Sequence, residues 1–353
     1  MTETAGPLLG PAEIRELAAR AGIRPTKTLG QNFVLDGGTV RKIVRQADLV
    51  PGERVVEVGP GLGSLTLGLL EAGADVVAVE IDPVLARLLP GTVRSHVPGI
   101  RVDVVGPDGA VTAADGAHHA ALPDAPPADP AQPTAGLTVL LADALQVRSL
   151  PGRPPTALVA NLPYNVSVPV LLAFLERFPT LERVLVMVQA EVADRLAAPP
   201  GSRTYGIPSA KVAWYASARR TATIGRSVFW PVPNVDSALV RMDRHDPADR
   251  PGASVTREQV FEVVDAAFAQ RRKMLRSALA TLAGSADAAS RAIAAAGVDP
   301  QARGERLTIA DFARVAEELV RAAPEPAPAV AALPVPADAG RGPVPDEPGT
   351  VEP

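Results

Sequence analysis

The chain has 353 residues, enough for one large or two ordinary domains, and 47% of them are hydrophobic, so it can bury a sizeable core. It contains no cysteine, which excludes disulfides, thiolate metal sites and cysteine nucleophiles and suits a reducing cytoplasm; with only four histidines, two of them in a low-complexity stretch, a histidine metal site is not expected either. The formal charge of −4 is uneven, because residues 98–137 and 322–353 are both acidic and the remainder is net basic, a balance compatible with a polyanionic partner.

From the N-terminus onward there is no basic-then-apolar signal pattern, and no apolar run approaches the ~20 residues of a membrane span. Between residues 38 and 190 apolar runs alternate with amphipathic segments. The spacing predicts a strand over 55–59, a helix over 64–71, a strand over 74–81 and a helix from Pro83, whose ring suits a first turn. Residues 137–142 read as the third strand, although 100–105 can be read as one too. Residues 106–136, rich in Ala, Pro, Gly and Asp, read as a disordered insertion or long loop. Strands over 156–160 and 183–188 and helices over 168–177 and 191–196 follow. Such alternation predicts an α/β fold with a doubly wound, mostly parallel sheet. Two further runs, 222–228 and 237–242, would add antiparallel edge strands. Beyond residue 255 the spacing of Val260, Val263, Val264 and Ala267, and of Leu275 and Leu279, predicts a small α-helical domain. The Pro/Ala-rich residues 323–353 read as a disordered tail.

Two segments carry chemistry. In the first, Val55 to Gly63, three evenly spaced glycines (Gly59, Gly61, Gly63) join the first strand to the first helix, and acidic Glu80 ends the second strand. Glycines let a backbone approach a ligand, and an acid at that strand end can accept from both ribose hydroxyls. A dinucleotide site would want its third glycine five residues after the first. Here the even spacing, and a carboxylate (Glu57) that a diphosphate would not favour, suit S-adenosylmethionine instead. Asp143, after the third strand, could accept from an adenine amino group. The second segment is Asn161-Leu162-Pro163-Tyr164, at the end of an apolar strand. Taken alone it is an ordinary Asn-x-Pro turn. Beside a cofactor site it offers an amide and a carbonyl to accept from an exocyclic amine, a proline to keep them aimed, and a ring to stack on a flat base.

Together these motifs closely resemble the ribosomal RNA adenine N6,N6-dimethyltransferases, the KsgA/RsmA family. Leu29-Gly30-Gln31-Asn32-Phe33-Val34 is similar to its G-Q-N-F-L element with Val34 in place of Leu, and Asn161–Asn165 to its N-L-P-Y-N motif. Gln189–Val192, Phe229–Pro233 with Val235–Ala238, and Phe268–Arg276 resemble its Q-x-E-V, F-x-P-x-P…V-D-S-A and F-x-Q-R-R-K-x-L-R segments. The likeness runs over residues 12–97 and 137–320. It implies a Rossmann-like S-adenosylmethionine-dependent methyltransferase domain over 37–245, with a low-complexity insertion at 98–136. An N-terminal segment, 1–36, would contribute to the cofactor site, and a small helical RNA-binding domain would cover 255–322. It also implies that Asn32, Val34, Gly59, Gly61, Glu80, Asp143 and Asn161 line the cofactor pocket, with Gln31 either a helix-entry residue or a contact. Asn161, Leu162, Pro163 and Tyr164 would hold the target adenine, and Phe229 would close its other face or simply pack in the core.

Arg271, Arg272, Lys273 and Arg276 form a basic cluster on a predicted helix, expected to hold RNA phosphates; Arg203, Lys211, Arg219, Arg220 and Arg226 add charge upstream. The activity implied is dimethylation of N6 on two adjacent adenosines in the 3′-terminal hairpin loop of 16S rRNA, within an immature 30S subunit, by a cytoplasmic, metal-free monomer late in subunit biogenesis. Loss of the modification would give kasugamycin resistance. The alternatives are an Erm-type enzyme acting on 23S rRNA, which confers macrolide resistance, and an assembly factor whose binding matters more than its catalysis.

Overall fold

The computed structural model describes residues 8–23, 32–106, 111–113, 135–249, 251–252 and 254–322. Leu29, Gly30 and Gln31, most of the expected insertion and the whole expected tail lie outside these residues.

The chain enters through α1 (Pro11–Arg20), which has Pro at its first turn and Glu13 near the positive end of its dipole. A two-residue strand, β1 (Phe33–Val34), leads to α2 (Gly37–Ala47), where the Asp36 carboxylate accepts from the Thr39 amide at 2.7 Å and caps the helix. Next come β2 (Arg54–Val58), α3 (Ser64–Glu71), β3 (Asp75–Glu80) and α4 (Pro83–His96), the last capped by Asp82. Strands β4 (Arg101–Val105), β5 (Val111–Ala113), β6 (Gly136–Leu141) and β7 (Ala157–Asn161) precede α5 (Ser167–Arg177), β8 (Arg183–Gln189), α6 (Ala190–Leu196) and α7 (Ile207–Ala213). Then follow β9 (Ala216–Ile224), β10 (Phe229–Trp230) and β11 (Ser237–Arg244), and four helices close the described chain: α8 (Arg257–Ala269), α9 (Leu275–Ala278), α10 (Ala286–Ala295) and α11 (Ile309–Ala322).

Among the described residues nine strands form one sheet in the order β5-β4-β6-β3-β2-β7-β8-β11-β9. Strands β4 to β8 other than β5, together with β2 and β3, run parallel, while β5, β11 and β9 are antiparallel to their neighbours. The chain leaves β2 for β3 on one side and returns to β7 on the other, so β2 and β7 flank a topological switch point. Ligands of open α/β sheets bind at the carboxyl ends of strands at such a point.

The inner parallel strands β2, β3, β6, β7 and β8 are mostly buried on both faces, which is why they read as largely apolar runs, whereas β4, nearer the sheet edge, is only partly buried. Val55, Val76 and Leu185 face α1 to α4, whereas Val56, Val79 and Val184 face α5 to α7. The second core continues without a break into α8, α10 and α11 through Val260, Val264, Ile293 and Phe312. The buried Tyr205 hydroxyl donates to the Leu307 carbonyl at 2.8 Å and pins the C-terminal helices to the sheet layer. Among the described residues no helix is long and apolar enough to cross a membrane.

Three expectations need correction. Residues 101–105 form a regular parallel strand, paired with β6 from Arg101↔Gly136 to Val105↔Leu140, so the insertion does not begin at 98. The run 222–228 is not one strand: the edge strand β9 starts at Ala216, Gly225 ends it, and a short 3-10 turn (Arg226–Val228) leads into β10. Its solvent-facing arginines hid the strand, as charged edges do. The basic run 271–276 does not lie on one helix, because α8 stops at Ala269 and α9 begins at Leu275.

Candidate active site

The site is built where β2, β3, β6 and β7 end. Beyond β2 the chain turns through Gly59, Gly61 and Gly63, all in the left-handed region with φ of 70°, 59° and 98°. A Cβ on Gly61 would stand 2.9 Å from Phe33 Cε1, and one on Gly63 would stand 2.8 Å from Leu89 Cδ1, so neither position admits a larger residue without movement. The Gly59 amide donates to the Val79 carbonyl at 2.9 Å, which joins the loop to β3.

Glu80 ends β3 and is 5% exposed. One carboxylate oxygen accepts from the Gly61 amide at 3.2 Å and the other from the Asp82 amide at 2.9 Å. Burial pushes its pKa up, against these two bonds. The two amides aim the carboxylate across the glycine turn and leave it further acceptor capacity. Glu57, inside β2, is 1% exposed and accepts from Thr66 Oγ1 at 2.6 Å. Burial, with the Glu80 charge adding to it, pushes Glu57 up to about 8, so it is largely protonated at neutrality. That bond ties β2 to α3 across the loop. Asp143 follows β6; its carboxylate accepts from the Leu145 amide at 2.9 Å, and the neighbouring Ala142 amide donates to the Glu80 carbonyl at 2.9 Å. Glu80 and Asp143 therefore stand at adjacent strand ends.

Asn161 is the last residue of β7, and its Nδ2 donates to the Asn32 carbonyl at 3.0 Å. Leu162 is buried, and its amide donates to the Met187 carbonyl, which extends the ladder to β8. Pro163 lies against the glycine loop: its Cδ is 3.7 Å from where a Gly59 Cβ would stand, and the Asn161 carbonyl is 4.0 Å away. The glycine turn and the Asn161 turn thus form one continuous wall. Tyr164 is half-buried, and its hydroxyl lies 2.7 Å from Ser237 Oγ; burial pushes its pKa up.

Val34 is 4% exposed, and its carbonyl accepts from Ser64 Oγ at 2.8 Å, so β1 is fastened to the start of α3. Phe229 does not present an open face as the other side of a base sandwich would. It is 1% exposed, paired with Val34 in the β1–β10 ribbon and packed in the core that faces α1 to α4. Sequence reasoning missed Ser64, Thr66 and Ser237 as groups that hold the site. Ser64 and Thr66 gave only the signal of small hydroxyl residues in the first turn of a helix after a glycine loop, and Ser237 appeared only as a member of the V-D-S-A segment, with no role attached.

The basic cluster is divided. Arg271 pairs with Glu305 at 3.1 Å and donates to the Arg203 carbonyl at 2.8 Å. Arg272, Lys273 and Arg276 are exposed and make no ion pair among the described residues. Lys211, Arg219, Arg220 and Arg226 are engaged by Asp265, Asp243, Asp194 and Asp236.

The model of the family described as ribosomal RNA adenine dimethylase matches residues 23–321. A protein of Kineococcus radiotolerans named ribosomal RNA small subunit methyltransferase A is 58% identical over 328 residues, covering 92% of this chain and 97% of the relative. A Thermobifida fusca protein of the same name is 59% identical over 310 residues, covering 88% and 96%. Among solved structures, a dimethyladenosine transferase from Plasmodium falciparum superposes with a TM-score of 0.62 at 18% identity, covering 82% of this chain and 98% of that one. The 23S rRNA methyltransferase ErmE gives 0.53 at 24% identity, covering 82% and 100%. These two likenesses show the methyltransferase fold. With most of its length matched by the family model and more than half its residues shared with full-length relatives, the chain belongs to the ribosomal RNA adenine dimethylase family.

Proposed function

We propose that this protein transfers methyl groups from S-adenosylmethionine to N6 of two adjacent adenosines in the 3′-terminal hairpin loop of 16S rRNA, in a late, immature 30S particle. The observation that carries this reading is the shared wall at the switch point, where Pro163 of the Asn161–Tyr164 turn abuts Gly59 of the glycine loop. A base held by the turn would lie against a cofactor held by the loop. The names of the relatives favour small-subunit over large-subunit RNA.

The residues fit the cofactor. Glu80, already aimed by two amides, would take the ribose hydroxyls, and Asp143 the adenine amino group. Gly59 and Gly61 would let the backbone come close, with the Asn32 segment and Asn161 on the far side. When bound, S-adenosylmethionine supplies an electrophilic methyl group on a sulfonium.

On the base side, the N6 lone pair of adenine is delocalised into the ring and is a poor nucleophile. Asn161 Oδ1 and the Leu162 carbonyl accept from N6–H, favour an sp³-like nitrogen and point it at the methyl carbon. Tyr164 stacks on the extruded base, as readers of flipped bases do. The proton can leave after transfer, so no histidine or carboxylate base is needed. Dimethylation of two bases requires four transfers, so the pocket also admits N6-monomethyladenine. Arg272, Lys273 and Arg276 hold phosphates of the RNA. The protein acts as a cytoplasmic monomer on this reading.

The test is to incubate the protein with labelled S-adenosylmethionine and, separately, unmethylated 30S and 50S subunits. Label in 30S RNA supports the reading. Label only in 50S RNA moves the protein to the macrolide-resistance branch, and no label in either makes binding during assembly the leading function.

A further inference from the structure

An asparagine side chain carries an acceptor and a donor, and only one orientation turns its oxygen towards a substrate amine. Here Asn161 Nδ2 donates to the Asn32 main-chain carbonyl at 3.0 Å. The segment that carries this carbonyl is held from several sides. Phe33 and Val34 pair with Trp230 and Phe229, and the Phe33 and Trp230 rings stack with centroids 6.3 Å apart. Ser64 Oγ donates to the Val34 carbonyl at 2.8 Å in a buried bond, and the Leu35 amide donates to the Val228 carbonyl at 2.7 Å. The Asn32 carbonyl is therefore a fixed acceptor.

We propose that the Asn32 carbonyl is a positioning group for the reaction: it fixes the Asn161 amide with Nδ2 turned towards the N-terminal segment and Oδ1 turned to the substrate amine. The inference rests on Asn161 being the side chain that accepts from N6–H, as argued above. It adds that the position must donate as well as accept. A carboxylate would serve an acceptor-only role equally well, but next to the Asn32 carbonyl it would set two acceptors against each other.

Asn161→Asp separates the two roles. Methyl transfer to unmethylated 30S subunits is measured for variant and wild type across roughly pH 5.5 to 8.5. The wild type carries the same Glu57, Glu80, Asp143 and Tyr164, so the ratio of the two rates isolates the introduced carboxyl. Near the alkaline end the variant is expected to be slower by roughly tenfold to a hundredfold, as for a buried polar pair left without its hydrogen bond. The ratio should climb as pH falls, because a protonated carboxyl regains one donor and one acceptor. A variant as fast as wild type at alkaline pH, a ratio that falls on acidification, or a flat ratio in a folded variant overturns the proposal. Should the variant fail to fold, hydrogen exchange of the wild-type Asn161 side-chain amide decides. One slowed proton supports the contact with Asn32, and free exchange of both overturns it. Wild type that labels no 30S RNA would count against the proposed function; the amide-exchange measurement would still test the contact.

Discussion

The hydroxyl of Tyr164 lies 2.7 Å from the Oγ of Ser237, which is fully buried at the first residue of β11. The ring proposed to stack on the substrate base is therefore not a free rotor at a loop tip. It is hinged on the Asn161 turn at one end and tied to the central sheet at the other.

Tyr164→Phe keeps the ring and removes the tie. It is expected to cost about 1 kcal/mol in kcat/KM for RNA, the net worth of a typical hydrogen bond. Tyr164→Ala removes the stack and should cost roughly 1 to 3 kcal/mol more. Steady-state kinetics on unmethylated 30S subunits give both. Equal losses for the two variants would mean that the ring does not stack on the base.

Gly61→Ala places a Cβ 2.9 Å from the Phe33 ring on a backbone with φ of 59°. The strain and overpacking together should destabilise the loop by about 1 to 3 kcal/mol. Calorimetry with S-adenosylhomocysteine should show weakened binding while the circular-dichroism spectrum stays native. Unchanged affinity would put the cofactor elsewhere.

Glu57 gives a pH signature. Its carboxyl stands at 4.5 before folding and is raised to about 8 in the fold, mainly by burial. Below pH 4.5 both states hold the proton and the group is neutral in the stability balance. As pH rises from 4.5 towards 8, the unfolded chain releases its proton and the folded chain keeps it, so stability drains away, at a slope of up to about 1.4 kcal/mol per pH unit. Above the folded value the loss levels off. Urea unfolding of wild type and Glu57→Gln at several pH values should show the variant gaining on the wild type through this window. A difference that does not change with pH would contradict the assignment.

Replacing Arg272, Lys273 or Arg276 with Ala should lower the slope of log K against log salt for rRNA binding by about 0.7 to 0.9 per contact removed. Arg271→Ala should change it less, because its guanidinium is engaged by Glu305. Slopes for the Arg272, Lys273 and Arg276 variants no lower than that of the wild type would leave the cluster without a role in phosphate binding.

Much of the fold was legible because β-α alternation leaves doubly buried strands as apolar runs. The glycine loop and the Asn161 turn were legible because each needs unusual residues at fixed spacing. What was not legible depends on long-range contact. Phe33–Val34 is too short to announce a strand, and it becomes one only by pairing with Phe229–Trp230, nearly two hundred residues away. The same pairing draws Phe229 into the core, which no local pattern reveals. Edge strand β9 was misplaced because its arginines face solvent, and the basic run 271–276 read as one helix because charge carries no period that marks a turn. Ser64, Thr66 and Ser237 declare themselves only when the partners they bond are in place.

The most direct measurement maps methylation by mass spectrometry on RNase digests of 16S rRNA, after unmethylated 30S subunits react with S-adenosylmethionine and the purified protein. The account predicts N6,N6-dimethyladenosine at two neighbouring positions in the 3′-terminal hairpin loop, and none with Asn161→Ala or Glu80→Ala. Methylation only at a different site or in 23S rRNA, or full dimethylation by the Asn161→Ala variant, would contradict it.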